Sequence, residues 1–301
     1  MSHLFRSFLS GLAGIILASA PLQASAEQPL TIYTVNYPLQ YFAQRIAGEH
    51  AQVIFPGPAD ADPAFWMPDT ETIQRYQQAD LILLNGAGYA KWTKYVSLPR
   101  LRSVDTSAGF QDRLIREQGG SSHSHGPGAE HSHAGIAFTT WLDFYQAVKQ
   151  AQTIADVLSR KQPAHQPDFE KNFMALREDL MALDLEMQQT VATNPRLPLF
   201  ASHPIYQYLA RRYELPVEDM VWEPDEMPND QQWQQLQLVR ERFPAEWMLW
   251  ENQPLPEIAQ QLDGMGIGIA VFDPCAKRPA KGDFLSVMQQ NIANLRRAYT
   301  N

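Results

Sequence analysis

Three short apolar runs in the second half of the chain each lead to a side chain that binds cations. Leu197 to Ser202 delivers His203, Trp247 to Trp250 delivers Glu251, and Gly268 to Phe272 delivers Asp273. Helical spacing separates them: Tyr206, Leu209, Ala210 and Tyr213 after the first, and Pro256 to Leu262 before the last. Short buried strands alternating with amphipathic helices predict a parallel sheet with crossover helices, and the C-terminal ends of such strands face the ligand crevice. One imidazole and two carboxylates are an ordinary donor set for zinc or manganese. A single buried histidine paired with a carboxylate would be plain polar satisfaction. Three such groups at three strand ends favour a site.

The first half repeats the logic. Leu30 to Val35 reads as a strand, and Pro38 opens a helix with Leu39, Phe42 and Ile46 on one face that stops at Gly48. Val53 to Phe55 is a second strand, Thr70 to Gln78 a short helix, and Ala79 to Gly86 a buried strand closed by a turn. Trp141 to Leu158 is helical. A longer helix then runs to about Val191, with Phe169, Phe173, Leu176, Leu180, Leu183 and Met187 alternating at spacings of four and three. Helices over Gln231 to Arg242 and Phe284 to Tyr299 complete the second half. The expected fold class is therefore α/β, two lobes with parallel-type sheets joined by a long rigid connecting helix. The N-terminal lobe is placed at 27–160, the connecting helix at 161–193 and the C-terminal lobe at 194–301.

Residues 1–26 read as a secretory signal peptide: Arg6 supplies the positive region, Leu9 to Ala20 is apolar but too short to span, and Ala24-Ser25-Ala26 is a cleavage site. No cysteine lies near that site, so a soluble periplasmic protein is expected rather than a lipid-anchored one. The formal net charge is −9 and becomes more negative once the leader with its one basic residue is removed, which argues against nucleic acid as partner. Cys275 is the only cysteine, so no internal disulfide forms and stability must come from core burial.

Between Gly119 and Gly135 the chain reads GGSSHSHGPGAEHSHAG, with no periodicity and with His123, His125, His131 and His133 in two H-x-H pairs. Histidine-rich short tracts bind transition metals, and a surface loop would hold them weakly and exchangeably. Catalysis is not expected. The chain has no G-x-S-x-G, no H-E-x-x-H and no phosphate-binding glycine loop, and Ser202 next to His203 on a strand end points away from it.

Several segments together resemble the metal-ion substrate-binding proteins of ABC transporters, the ZnuA/TroA-like group. These are GPADADPAFWMPDTETIQRYQQADLILLNGAGYAKW, HSHAGIAFTTWLD, LFASHPIYQYLARRYEL, WENQPLPEIAQQL, AVFDP and GDFLSVMQQNIANLRRAY, which cover nearly the whole mature chain in the family's order. The resemblance implies zinc or manganese as transported ligand, an ABC permease and its ATPase as partners, a monomeric carrier, a ligand held between the lobes, and a stiff connector that allows only small ligand-linked movement. Two family histidines are replaced, by Ala64 after Asp62-Pro63 and by Thr139 before Trp141, which leaves His203 and Asp273 of the usual four-ligand set. Glu251 and Asp62, with Asp60 beside it, stand where replacements could be recruited. Two alternatives stay open. The cleft could take a chelated metal or small organic ligand against Phe65, Trp66, Trp141 and Trp250, or the protein could buffer metal through its histidine loop. Calorimetric titration with zinc should show at least one fewer weak site when residues 119–135 are deleted; unchanged stoichiometry rules the loop out as a binder.

Overall fold

The computed structural model describes residues 29–117, 122–124, 130–132 and 135–300. The expected leader, and His125 and His133 of the histidine loop, lie outside them. Two four-stranded sheets form, and every pairing within them is parallel.

In the first sheet β1 (Leu30–Thr34), β2 (Ala51–Ile54), β3 (Leu81–Leu84) and β4 (Ser103–Asp105) lie in the order β2-β1-β3-β4. α1 (Tyr37–Ala47) and α2 (Thr70–Gln78) make its crossovers. Asn36 starts α1 by accepting from the Leu39 amide at 3.1 Å, satisfying one of the unpaired amides of the first turn. Gly48 ends α1 at φ +56°, a conformation that suits glycine. Two short antiparallel pairs follow: β5 (Arg116–Glu117) with β8 (Gly135–Ile136), and β6 (Ser122–Ser124) with β7 (Glu130–Ser132). The second pair sets the His123 and His131 backbones opposite one another.

α3 (Phe144–Lys161) begins three residues later than its apolar pattern predicts, because Asp143 caps it through the amides of Tyr145 and Gln146. α4 (Gln166–Ala192) is the long helix. Its buried stripe, Phe169 to Val191, packs on α1 and α3 of the first lobe. In the second lobe it meets α5 (Gln207–Tyr213) and α8 (Phe284–Thr300).

The second sheet contains β9 (Leu199–Ala201), β10 (Val217–Asp219), β11 (Trp247–Trp250) and β12 (Gly268–Val271), with α6 (Asp230–Arg242) and α7 (Pro256–Gly264) between strands. Its order is β10-β9-β11-β12. In both sheets the second strand lies outside the first and the third lies inside, so the chain reverses direction across the sheet between its first and third strands. That reversal opens a crevice beyond the strand ends.

One buried charge fastens α4 to the second lobe. Asp184 is 1% exposed. It accepts from Arg212 Nε at 2.9 Å and Nη2 at 2.7 Å, from the Tyr213 hydroxyl at 2.9 Å and from Gln188 at 2.7 Å. Removing one partner of a buried pair leaves a charge uncompensated. Arg212→Ala should therefore cost about 3 kcal/mol in urea denaturation, the remaining Tyr213 and Gln188 bonds limiting the loss. A loss below about 0.5 kcal/mol, the size of an exposed pair, contradicts this account.

Candidate metal centre

The ladder hydrogen bonds of the second sheet continue past its strands and line up the residues that follow. The Ser202 amide donates to the Leu249 carbonyl at 2.8 Å, Met220 and Trp222 donate to Ala201 and Ser202 at 2.7 Å each, and Phe272 donates to Trp250 at 2.7 Å. Across the sheet edge the side chains therefore run Glu223, His203, Glu251, Asp273, one after each strand. His203 and Glu251 flank the point where the chain reverses.

His203 is 3% exposed, and its Nδ1 lies 3.3 Å from Glu223 Oε1. One donor atom from each of His203, Glu223 and Glu251 falls within 4.8 Å of the other two. With a carboxylate beside Nδ1, Nε2 is the ring nitrogen left to meet a ligand, the division of roles seen where a carboxylate backs a metal-bound histidine. Asp273 stands at the end of the row, where its carboxylate accepts from the Cys275 amide at 2.7 Å. The Asn291 side chain brackets its backbone, accepting from the Asp273 amide at 3.0 Å and donating to its carbonyl at 2.6 Å. Burial raises the Asp273 carboxyl above the ordinary range, against the Cys275 amide and Lys277, which lower it. Tyr206 senses the same charges: burial first, then Glu251, Asp273 and Asp219, hold its phenol well above the usual value. The Tyr206 hydroxyl donates to the Phe272 carbonyl at 2.9 Å. Carboxylates gathered in a half-buried place attract a cation.

At the first lobe's reversal point the groups are neutral, with charges only to the side. Asn36 donates to the Asn85 side-chain oxygen at 3.2 Å, and Gln150 donates to the same oxygen at 3.2 Å. Asp62 is exposed, and it caps its own turn by accepting from the Ala64 amide at 2.8 Å. It lies outside the three-residue group, as does Asp273. Ala64 is fully buried, and the Thr139 hydroxyl donates to the Ile205 carbonyl at 2.5 Å. Beside these two positions Phe65 and Phe138 meet edge to face at 6.1 Å. The Lys91 ammonium stands 5.9 and 4.8 Å from their ring centres.

Of the aromatic residues expected to wall the cleft, Trp141 and Trp250 are fully buried in the core and Phe65 and Trp66 are half-buried. Trp141 fastens the lobes together, its Nε1 donating to the Pro274 carbonyl at 2.7 Å. Sequence reasoning missed Glu223. It follows β10, a strand whose Val-Glu-Asp sequence carries no apolar alternation, and only the Trp-Glu-Pro after it resembled the strand ends that were recognised.

Two α/β lobes share one long helix, and ligand-type side chains stand at the strand ends that face the crevice. The chain belongs to the family described as zinc-uptake complex component A, periplasmic, whose match extends over residues 32–298. The zinc-binding lipoprotein AdcA of Streptococcus pneumoniae is 25% identical over 297 residues, covering 96% of this chain and 59% of AdcA. The chain thus spans about three-fifths of that relative. The metal ABC transporter substrate-binding lipoprotein FimA of Streptococcus parasanguinis is 26% identical over 95% of this chain and 94% of its own length. Among solved structures, Zn(II)-bound AdcA from Streptococcus pneumoniae superposes with a TM-score of 0.77 at 21% identity, over 91% of this chain and 58% of that one. The expected two-lobe fold is borne out. No helix among the described residues is long and apolar enough to cross a membrane.

A carboxyl raised by burial is favourable to folding only while protonated, so that benefit is lost as pH rises through its folded pKa. Asp273→Asn should therefore make the metal-free protein more stable than the parent at pH 7, with the gap closing below about pH 4, near the ordinary carboxylate value. Urea denaturation across that range tests it; a less stable variant at pH 7 overturns it.

Proposed function

We propose that this protein is the periplasmic ligand-binding component of a metal-ion ABC uptake system, that it carries zinc or a similar divalent ion, and that it performs no catalysis. The observation that carries the reading is the row Glu223, His203, Glu251, Asp273 along one sheet edge. His203 Nε2 and the Glu251 carboxylate bind the ion, Asp273 adds an oxygen donor, and Glu223 holds the imidazole. Asp62, in the other lobe, closes the shell only if its turn opens. A permease and ATPase receive the cargo, as the family of metal transporter relatives suggests, and residues 1–26 are removed on export.

The donor set differs from an all-histidine site in hardness. One nitrogen with two or three carboxylate oxygens accommodates manganese as well as zinc, whereas thiolate-preferring ions find no soft donor there. Weak binding by the loop histidines His123, His125, His131 and His133 would add buffering capacity.

One observation favours a variant of this reading in which the metal arrives chelated. Lys91 over Phe65 and Phe138 sets a cation and two aromatic rings beside Ala64 and Thr139. An ammonium there repels a bare divalent ion and attracts the negative charge of a chelator.

The test is titration of metal-stripped protein whose four loop histidines are changed to serine. One tight zinc or manganese equivalent, lost in His203→Ala and weakened about 10- to 100-fold in Glu223→Gln, is the expected result. If bare ions bind weakly and Lys91→Ala tightens them, the chelate variant gains. If neither substitution matters, the cleft is not the metal centre.

A further inference from the structure

A second group of metal-ligating side chains lies away from the crevice. His50 ends the 3-10 turn Gly48–His50 just before β2, His165 ends the turn Pro163–His165, and Asp168 sits in the first turn of α4. A donor atom from each falls within 4.8 Å of the other two. His50 Nε2 is 3.1 Å from Asp168 Oδ2, and the two imidazole rings stack with centres 3.9 Å apart and planes 21° from parallel.

Because His50 immediately precedes β2, the group stands at the N-terminal edge of the first sheet. The row around His203 follows the C-terminal edge of the second. The two groups share no residue and no loop, so they are independent in binding as well as in position.

We propose that His50, His165 and Asp168 form an auxiliary, exchangeable transition-metal site. It would take zinc, nickel or copper(II) with two imidazole nitrogens, one carboxylate oxygen and water. The chemistry fits: two histidines with one carboxylate is a common partial shell for these ions, with positions left open to solvent. A separation near 3 Å between donor atoms is also close to the edge of a tetrahedron built on bonds of about 2 Å.

The geometry is held from behind. The fully buried Phe169 meets the His50 ring edge to face at 5.5 Å and the His165 ring at 6.4 Å. The Asn172 amide donates to the Ile46 carbonyl at 3.0 Å and pins α4 against the end of α1. Three elements thus bring their donors to one place, and what is left to order is rotation of one imidazole off the stack so that both in-plane lone pairs meet the ion. Two opposing features keep the affinity moderate. The N-terminus of α4 is the positive end of its dipole, and Asp168 is 60% exposed.

The plain alternative is a surface His50–Asp168 pair with His165 stacked on it, worth little and binding nothing. The two predict different titrations. In the exported protein, residues 27–301, with the four loop histidines changed to serine, zinc titration should lose the same single equivalent in His165→Gln as in His50→Gln. Asp168→Asn, which keeps a hydrogen-bond partner for His50, should weaken that equivalent about tenfold. His203→Ala should remove a different equivalent, and copper(II) bound to that variant should show two nitrogen ligands by electron paramagnetic resonance. Unchanged zinc stoichiometry in both His50→Gln and His165→Gln, or copper without two nitrogens, overturns the site. Failure of His203→Ala to remove an equivalent counts against the crevice reading alone.

Discussion

The arrangement depends on α4 being buried by both lobes at once. Its apolar stripe meets α1 and α3 of one lobe and α5 and α8 of the other, so neither lobe can leave it without exposing part of that stripe to water. Asp184 adds direction to this burial. A carboxylate with four hydrogen-bond donors around it fits in one rotation of the helix, and so fixes which face of α5 lies against it. Everything at the crevice is positioned from this spine.

Strands that carry enough apolar residues were legible in the sequence, and so were the functional residues at their ends. Leu199 to Ala201, Trp247 to Trp250 and Gly268 to Val271 are short runs that only a buried parallel strand explains, and they led directly to His203, Glu251 and Asp273. β4 and β10 were not legible. Each is an outer strand of its sheet, half-solvated, and each contains polar residues, as Ser-Val-Asp and Val-Glu-Asp show. The residue that closes on His203 follows one of these hidden strands. The long helix was readable because its spacing persists over many turns, whereas the start of α3 was masked by a buried 3-10 turn at Thr140–Leu142 whose residues are as apolar as the helix.

The aromatic residues teach a related lesson. Composition alone cannot distinguish a tryptophan that walls a pocket from one that fills a core. Trp250 lies 6.3 Å from Trp222, which in turn lies 4.7 Å from Trp233, and together they form the second lobe's own hydrophobic cluster. Trp141, by contrast, joins the lobes through its indole N–H. The two lobes also differ in charge where their topology is the same: paired asparagines at one reversal point, and an imidazole among carboxylates at the other.

Three of the bonds that join the lobes near the crevice land on backbone atoms. Thr139 reaches the carbonyl of Ile205, Trp141 that of Pro274 and Tyr208 that of Ala137. A main-chain acceptor is present whatever side chain the residue carries. Mutational drift at the crevice can therefore exchange one ligand-holding residue for another while the clasp between the lobes stays as it was, and selectivity becomes free to evolve separately from architecture.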